Sequence, residues 1–316
     1  MNGDADRGPA EALRYGLDRV GKHVYWARTQ GIARLVEEDD LDPRARVARA
    51  YRGWQWRRSS GARPGSAMAV FLVGVQRSGT NMLVRGLEQA PEVQVRNEND
   101  RRAFSRFRMR DDESIAALVS ASRHALVLFK PLCDSHRVPE LLTGLDVAVP
   151  PRAVWAYRDV DARARSALAK FGDANLRALQ AIAAGDDEDL WQSKGLSARR
   201  RDQIAGLDPA HMTPETAAAL FWYVRNELVF DLGLDSRPDV LLSSYDALVE
   251  RPEECTRTLC DFLGFPWRPS VAAHVERREP RRRELLDIDR RVRLLCDDLR
   301  QRLDEAVDQH ARRVTV

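Results

Sequence analysis

The sequence predicts an α/β fold, a P-loop-like three-layer arrangement of a central parallel sheet flanked by helices, plus a helical N-terminal arm. Three observations support this prediction. Apolar runs of strand length recur along the chain, and the segments between them have helical periodicity. The first apolar run also ends in a glycine-bounded loop that leads into a helix. Strands that alternate with helices typically pair in parallel through right-handed crossovers.

The first predicted strand is the apolar run from Met68 to Val73, which suits a strand buried on both faces of a parallel sheet. Gly74 ends the strand, and Gly79 precedes a segment whose apolar residues have helical spacing. A loop of this kind points backbone N–H groups and the positive end of a helix dipole at one place. We therefore expect it to bind a phosphate group, although an ordinary strand–turn–helix with a glycine-rich turn is the alternative.

This loop differs from the nucleotide-binding pattern G-x-x-x-x-G-K-[ST] at one position. Thr80 stands where that pattern has lysine, and a basic residue lies inside the loop instead, at Arg77. The missing lysine is the one that contacts the β- and γ-phosphates of a nucleoside triphosphate. The loop can still hold a single phosphate group.

Length and composition fit a globular protein of one large domain or two small ones, with 316 residues of which 44% are hydrophobic. The longest apolar run has about eight residues, too few to span a membrane, and the polar N-terminus lacks a secretory signal. The four cysteines show no C-x-x-C pairing and no nearby histidine cluster. We expect a cytoplasmic protein with reduced thiols, no bound metal and no stable membrane insertion.

The net charge argues against nucleic acid as a partner. It is only +3, because 51 basic residues are matched by 48 acidic ones spread along the chain. The region from Arg277 to Arg293 holds eight arginines, but acidic residues are interleaved with them. Such a pattern is typical of a solvated helix face.

Taken in order, the chain divides into four predicted parts. These are a disordered tail (1–9), a helical arm and linker (10–65), the α/β core (66–270) and a C-terminal helical segment (271–316). Asp42 and Pro43 predict a helix start within the arm, and an amphipathic helix is predicted over 284–309. The arm could pack on the sheet, cover an acceptor site or form a homodimer, and the sequence leaves these three roles open. Within the core, a polar segment at about 172–214 is interpreted as a helical insertion that covers substrate. A helix predicted over 216–232 follows it and carries Phe221, Trp222, Tyr223 and Phe230, an aromatic stripe that is more typical of a core than of a cofactor site.

Charged residues follow three of the predicted strands: Arg77 in the loop, Lys130 after Ala125–Phe129, and Arg158 after Ala153–Tyr157. The carboxyl ends of parallel strands are where open α/β sheets bind ligands, so three cations there predict an anionic ligand. The polar segment 96–100 follows another short strand and is expected at the same edge.

These features resemble the sulfotransferase superfamily, and bacterial sulfotransferase family proteins in particular. Residues Arg77-Ser-Gly-Thr80 are similar to its 5′-phosphosulfate loop, and Arg158 followed eight residues later by Ser166 is similar to the pair that grips a 3′-phosphate. Segments 243–254 and 259–267 are similar to a packing signature of the family, "Y-E-D-L-V-x-x-P … F-L-G-L-P". The resemblance covers about Met68 to Trp267 in three blocks. The family's G-x-x-G-D-W-K-N stretch is absent, so the residues that close over the nucleotide are unassigned, with 277–293 as a candidate.

The resemblance implies a transferase that uses 3′-phosphoadenosine 5′-phosphosulfate (PAPS), releases 3′-phosphoadenosine 5′-phosphate (PAP) and needs no metal. It implies a small-molecule hydroxyl acceptor, which we expect to be a specialised metabolite of bacterial secondary metabolism, a sugar or a glycolipid. The residues implied to bind the nucleotide are Gln76, Arg77, Ser78, Gly79, Thr80, Asn81, Arg158 and Ser166.

The resemblance also implies catalytic roles. Lys130 and Arg77 would stabilise charge on the bridging oxygen. The histidine base of the cytosolic animal enzymes is replaced here by Leu132, whereas Glu98 matches the glutamate base of other members. Asp100 and His136 remain alternatives, and Glu98 could instead pair with a neighbouring arginine.

Two other classes of function compete with this interpretation. A P-loop-type small-molecule kinase using ATP would need the missing lysine and a magnesium-binding aspartate, for which Asp159 is the available residue. A non-catalytic nucleic-acid-binding protein is disfavoured by the balanced charge.

Overall fold

The structure is a computed structural model that describes residues 43–279 and 284–314. The predicted tail, most of the predicted arm, residues 280–283 and the last two residues lie outside the described residues. The chain divides into two compact units, Met1–Trp54 and Gln55–Val316. Helix α1 (Pro43–Ser59) begins at the proline where the sequence predicts a helix start.

A five-stranded parallel sheet forms the centre of the second unit, which confirms the predicted fold class. Its strands are β1 (Met68–Gly74), β2 (Val93–Arg96), β5 (Leu126–Phe129), β6 (Val149–Tyr157) and β7 (Val240–Ser244). They lie in the order β2-β5-β1-β6-β7, so the first strand is in the middle. All seven residues of that strand are buried, and a strand buried on both faces has an unbroken apolar sequence.

Helices cover both faces of the sheet and complete the three layers. Because side chains alternate along a strand, Phe71 and Val73 enter one hydrophobic core while Val70 and Leu72 enter the other. The helices that connect the strands or cap them are α2 (Thr80–Leu87), α3 (Asp112–Ser120), α4 (Val138–Thr143), α5 (Val160–Phe171), α10 (Tyr245–Glu250), α11 (Pro252–Leu263) and α12 (Pro269–Ala272).

The inserted segment is mostly helical. It contains α6 (Ala174–Ala184) and α7 (Ala198–Gly206) and is followed by α8 (Pro214–Asn226) and α9 (Leu228–Asp231). Three residues of the predicted aromatic stripe, Phe221, Trp222 and Tyr223, are buried in α8. Phe230 lies on α9 and is half-buried against the same hydrophobic core.

The C-terminal helix α13 (Arg290–Val314) begins six residues later than the sequence predicts. The carboxylate of Asp161 explains the delay. It accepts hydrogen bonds from the backbone N–H of Leu286 and from the guanidinium of Arg293. These bonds hold the segment before Arg290 against α5 in a non-helical conformation.

A two-stranded hairpin, β3 (Phe104–Ser105) and β4 (Arg108–Met109), was not expected from the sequence. Both turn residues have positive φ, 49° at Arg106 and 67° at Phe107. Asp134, only 1% exposed, accepts bonds of 2.7 Å from Arg108 Nε and from the backbone N of Met109. The hairpin is therefore held by hydrogen bonds between residues at least 25 positions apart in the sequence, and these bonds cannot be predicted from a local sequence pattern.

Two further features concern the class of protein. No helix in ranges 43–279 and 284–314 is long and apolar enough to cross a membrane. The four cysteines are free thiols, of which Cys133, Cys260 and Cys296 are buried and Cys255 is half-buried.

Candidate active site

The loop between β1 and α2 needs both of its glycines. Gly74 has φ +123°, and a Cβ atom there would lie 2.2 Å from the carbonyl oxygen of Ala156 on β6. Gly79 has φ +89°, and its Cβ would lie 2.2 Å from Cδ2 of Tyr245. Neither position accepts a side chain, so the loop stays tight against the neighbouring strand and α10.

The loop has the shape and polarity of an anion site. Helix α2 begins at Thr80 without a side-chain cap, and the N–H groups of Thr80 and Asn81 precede the first hydrogen bond within the helix. Ser78 is 1% exposed, and its Oγ has no hydrogen-bond partner among the described residues. A buried hydroxyl without a partner beside uncapped N–H groups fits a bound phosphate or sulfate group.

Helix α5 holds this loop at two successive residues. Ser166 Oγ accepts a 2.9 Å bond from Nε of Arg77, and Nε of Arg163 donates a 3.1 Å bond to the carbonyl oxygen of Gln76. Arg77 adopts a left-handed conformation with φ 71°, which is uncommon for a residue other than glycine. Sequence reasoning missed Arg163, because an arginine in a helix looks like a surface residue until its burial is known.

Lys130 connects the loop to the predicted base. Its ammonium nitrogen donates a 2.8 Å bond to Oδ1 of Asn81 and lies 3.5 Å from Oε2 of Glu98. The side chains of Lys130 and Glu98 are 11% and 21% exposed, so the pair is largely shielded from water. Lys130 and Glu98 lie close together because they follow Phe129 and Arg96, which are paired at the ends of the parallel strands β5 and β2. Three predicted site residues are thus brought together.

The environment of Glu98 suits a base more than a structural ion pair. Burial raises the pKa of its carboxyl, and the charge of Lys130 opposes this effect. The neighbouring arginines, Arg96 and Arg102, pair with Asp100 at 2.6 and 3.2 Å instead. Glu98 therefore keeps Lys130 as its partner and has a raised pKa, as expected of a group that takes up protons.

The two alternative bases lie in different surroundings. Burial raises the pKa of Asp100, but hydrogen bonds from Arg102 and Arg96 outweigh it and lower the pKa overall. Burial, assisted by the charge of Arg225, lowers the pKa of His136 to about 4. His136 packs closely against Gly195 of the inserted segment. The pKa is thus lowered at Asp100 and His136 and raised at Glu98.

Arg158 lies at the other side of the loop. Its guanidinium stacks 4.3 Å above the ring of Tyr245, because the two residues follow the paired positions Tyr157 and Ser244 of β6 and β7. Ser166, predicted to act with Arg158, bonds Arg77 instead in this structure.

Arg158 lines a cleft of about 920 Å³ whose wall also includes Arg277 and Arg278, at the start of the region proposed to close over a nucleotide. Arg77, Lys130 and Glu98 do not line this cleft. The other lining residues are Asp159, Asp161, Ala162, Tyr245, Asp246, Val249, Glu250, Glu276, Glu279, Leu285 and Arg300.

The segment that begins at Ser243 does more than the packing role the sequence suggests. Tyr245 lies between Gly79 of the loop and the guanidinium of Arg158. The carboxylate of Asp246 accepts a 2.6 Å bond from the backbone N of Asp159, which fixes the turn after β6. Tyr245 and Asp246 directly follow β7, which pairs with β6. This position in the sequence could have identified both residues as part of the site.

Comparison with known proteins gives a structural likeness only. No protein-family model and no curated protein matches the chain. The chain is similar to a sulfotransferase from Alicyclobacillus acidocaldarius, with 17% identity and a TM-score of 0.38, over 80% of this chain and 94% of that one. It is also similar to the sulfotransferase domain of the Synechococcus PCC 7002 olefin synthase, with 12% identity and a TM-score of 0.34, over 79% and 96%.

Proposed function

We propose that this chain is a sulfotransferase that moves the sulfuryl group of PAPS to a hydroxyl group of a small-molecule acceptor. The observation that carries the proposal is the position of Lys130. Its ammonium group bonds Asn81 in the first turn of the helix behind the anion loop and lies 3.5 Å from a half-buried carboxylate, Glu98. A cation between an anion site and a base is the arrangement that group transfer to a hydroxyl needs.

The two sides of the loop suit the two ends of the proposed donor. The loop N–H groups, the Ser78 hydroxyl and Arg77 would hold the 5′-phosphosulfate. Arg158 would hold the 3′-phosphate, since a guanidinium can donate two bonds to a dianion. Tyr245 offers a ring beside this arginine, next to the cleft. When bound, the donor supplies an activated sulfuryl group.

In the proposed reaction Glu98 takes the proton of the acceptor hydroxyl while the hydroxyl oxygen forms a bond to sulfur. The bond between sulfur and the bridging phosphate oxygen breaks, and Lys130 and Arg77 stabilise the negative charge that remains on that oxygen. Glu98 then releases its proton to solvent. The chain contributes positioning, a base and fixed positive charge, which are the main terms in transfer reactions of this kind.

The inserted segment is proposed to shape the acceptor side. Gly195 of this segment packs against His136, which lies in the short helical turn that follows Lys130. We infer that the acceptor enters between this segment and Glu98, and that it is a specialised metabolite, a sugar or a glycolipid.

The kinase alternative loses support from the surroundings of Asp159. Its carboxylate accepts a 2.8 Å bond from the backbone N of Ala162 as the cap of α5, and a 2.7 Å bond from Arg300. An aspartate engaged in this way is poorly placed to bind magnesium.

Calorimetric titration with PAP, with AMP and ATP as controls, tests the proposal. We expect micromolar or tighter binding that requires the 3′-phosphate. A preference for ATP, or turnover of ATP with magnesium, would favour the kinase instead. No binding of PAP would remove the proposed roles of Arg158 and Ser166.

A further inference from the structure

Arg163 is a fully buried arginine that the proposed reaction does not use. It is 0% exposed and lies on α5, one turn before Ser166. Its guanidinium donates to the carbonyl of Gln76 and, at 3.0 Å each, to Oδ1 of Asn175 and the carbonyl of Ala218. None of these acceptors is charged, and no carboxylate pairs with Arg163 among the described residues.

The charge of this arginine is therefore not neutralised within the described part of the chain. Burial lowers the pKa of Arg163 to about 9, and the nearby positive charge of Arg77 acts in the same direction. A buried ion without an opposite charge is costly, and a second cation nearby adds to the cost. Such an arrangement becomes favourable when an anion binds close by.

The bond to Gln76 also sets the direction of one peptide group. Because a peptide is planar and trans, its N–H points opposite to its carbonyl. Arg163 draws the carbonyl of Gln76 toward α5, so the N–H of Arg77 faces away from that helix. The same helix holds the side chain of Arg77 through Ser166. Both contacts support the left-handed conformation of Arg77.

We propose that Arg163 is a positioning residue for the anion loop: it orients the Gln76–Arg77 peptide, and the bound sulfate or phosphate group supplies its missing counter-charge. The identity of the bound donor as PAPS rests on the proposed function. The binding of an anion near Arg163 rests only on the geometry of the loop.

The test compares Arg163→Met with wild-type protein in two measurements. The first is thermal unfolding in increasing inorganic sulfate, with ionic strength held constant by sodium chloride. The second is calorimetric titration with PAP. We expect Arg163→Met to bind both probes about 10- to 100-fold more weakly, the range for loss of a hydrogen bond involving a charged group. If this variant does not fold, Arg163→Lys replaces it, with a smaller loss expected in the same direction.

Arg225→Met is the matched control. Arg225 is also buried, lacks a hydrogen-bonded carboxylate among the described residues and donates to two carbonyls, those of Gln192 and Lys194, but it does not contact the loop. Its loss should lower the unfolding temperature and leave sulfate affinity unchanged.

The outcomes separate a positioning role from a structural one. If Arg163→Met unfolds at lower temperature but binds sulfate as the wild type does, the residue is only structural and the inference is overturned. Equal losses of sulfate affinity in both variants, or no sulfate binding by the wild type, also overturn it. If sulfate binding depends on Arg163 but PAP binds no better than AMP, the inference stands and the proposed donor fails.

Discussion

Replacing Glu98 by glutamine separates the catalytic role of this residue from its structural one. Glutamine has nearly the same shape and can still accept a bond from Lys130, but it cannot take up a proton. A general base contributes about 10²- to 10⁴-fold to a rate, which corresponds to about 3 to 5 kcal/mol of transition-state stabilisation. We therefore expect turnover with PAPS to fall by that factor while PAP affinity, measured by calorimetry, changes little.

The direction of the pKa shift makes a second expectation, about stability. Because burial raises the pKa of Glu98, the folded protein binds a proton there more readily than the unfolded chain does. The ionised carboxylate therefore disfavours folding at neutral pH, and this effect disappears as the pH falls and the group is protonated. At pH 7, the unfolding temperature of Glu98→Gln should therefore equal or exceed that of the wild type. In acid, where Glu98 is protonated, the variant should show no increase in unfolding temperature.

The same shift predicts the pH dependence of turnover. Activity should fall in acid as Glu98 becomes protonated, with a midpoint above the ordinary pKa of a glutamate, and Glu98→Gln should lack this limb. Asp100→Asn is the control, since hydrogen bonds from Arg102 and Arg96 lower the pKa of Asp100 and its charge favours folding. That variant should lose stability at neutral pH and keep most of its turnover. Near-normal turnover in Glu98→Gln, or a clear loss of stability at pH 7, would refute the reasoning.

Three further substitutions test other parts of the site. Arg158→Ala should weaken PAP far more than AMP in calorimetry, and equal losses would show that it does not contact the 3′-phosphate. Gly79→Ala should abolish sulfate and PAP binding, because the added Cβ would lie 2.2 Å from the ring of Tyr245 at φ +89°; unchanged affinity would contradict the close approach of the loop to this ring. Asp134→Ala should lower the free energy of unfolding by about 2 to 4 kcal/mol, because a buried backbone N–H and Arg108 lose their acceptor. Denaturant unfolding measures this change. A loss below about 1 kcal/mol, the value of one ordinary hydrogen bond, would argue against the contact.

The central sheet could be predicted because its strands carry a strong local signal. Met68–Gly74 and Leu126–Phe129 are apolar throughout, and buried parallel strands need such runs. The charged residues after them could be predicted for the same reason, since a cation at the end of an apolar strand has no role in the core. The loop was recognisable because Gly74 and Gly79 are required by backbone geometry and not by side-chain chemistry.

The rest of the site depends on contacts between distant residues. The hairpin around Phe107 forms because Asp134 accepts a hydrogen bond from the backbone N of Met109. The sequence of the hairpin contains no short pattern that predicts this bond. Arg163 resembles a surface arginine within α5, and only the packing of α8 and the loop around it reveals the burial. Asp161 likewise delays the start of α13 through bonds to residues 125 and 132 positions further along the chain.

The order of the strands separates the two substrates that the proposed enzyme would handle. β1 lies in the middle of the sheet, with β5 and β2 on one flank and β6 and β7 on the other. Glu98 and Lys130 come from the first flank, whereas Arg158 comes from the second. The inserted segment packs at the first flank, where Gly195 contacts His136 in the turn after Lys130. Exchange of segment 172–214 between relatives of this fold is accordingly a rational route to enzymes with new acceptors and an unchanged donor.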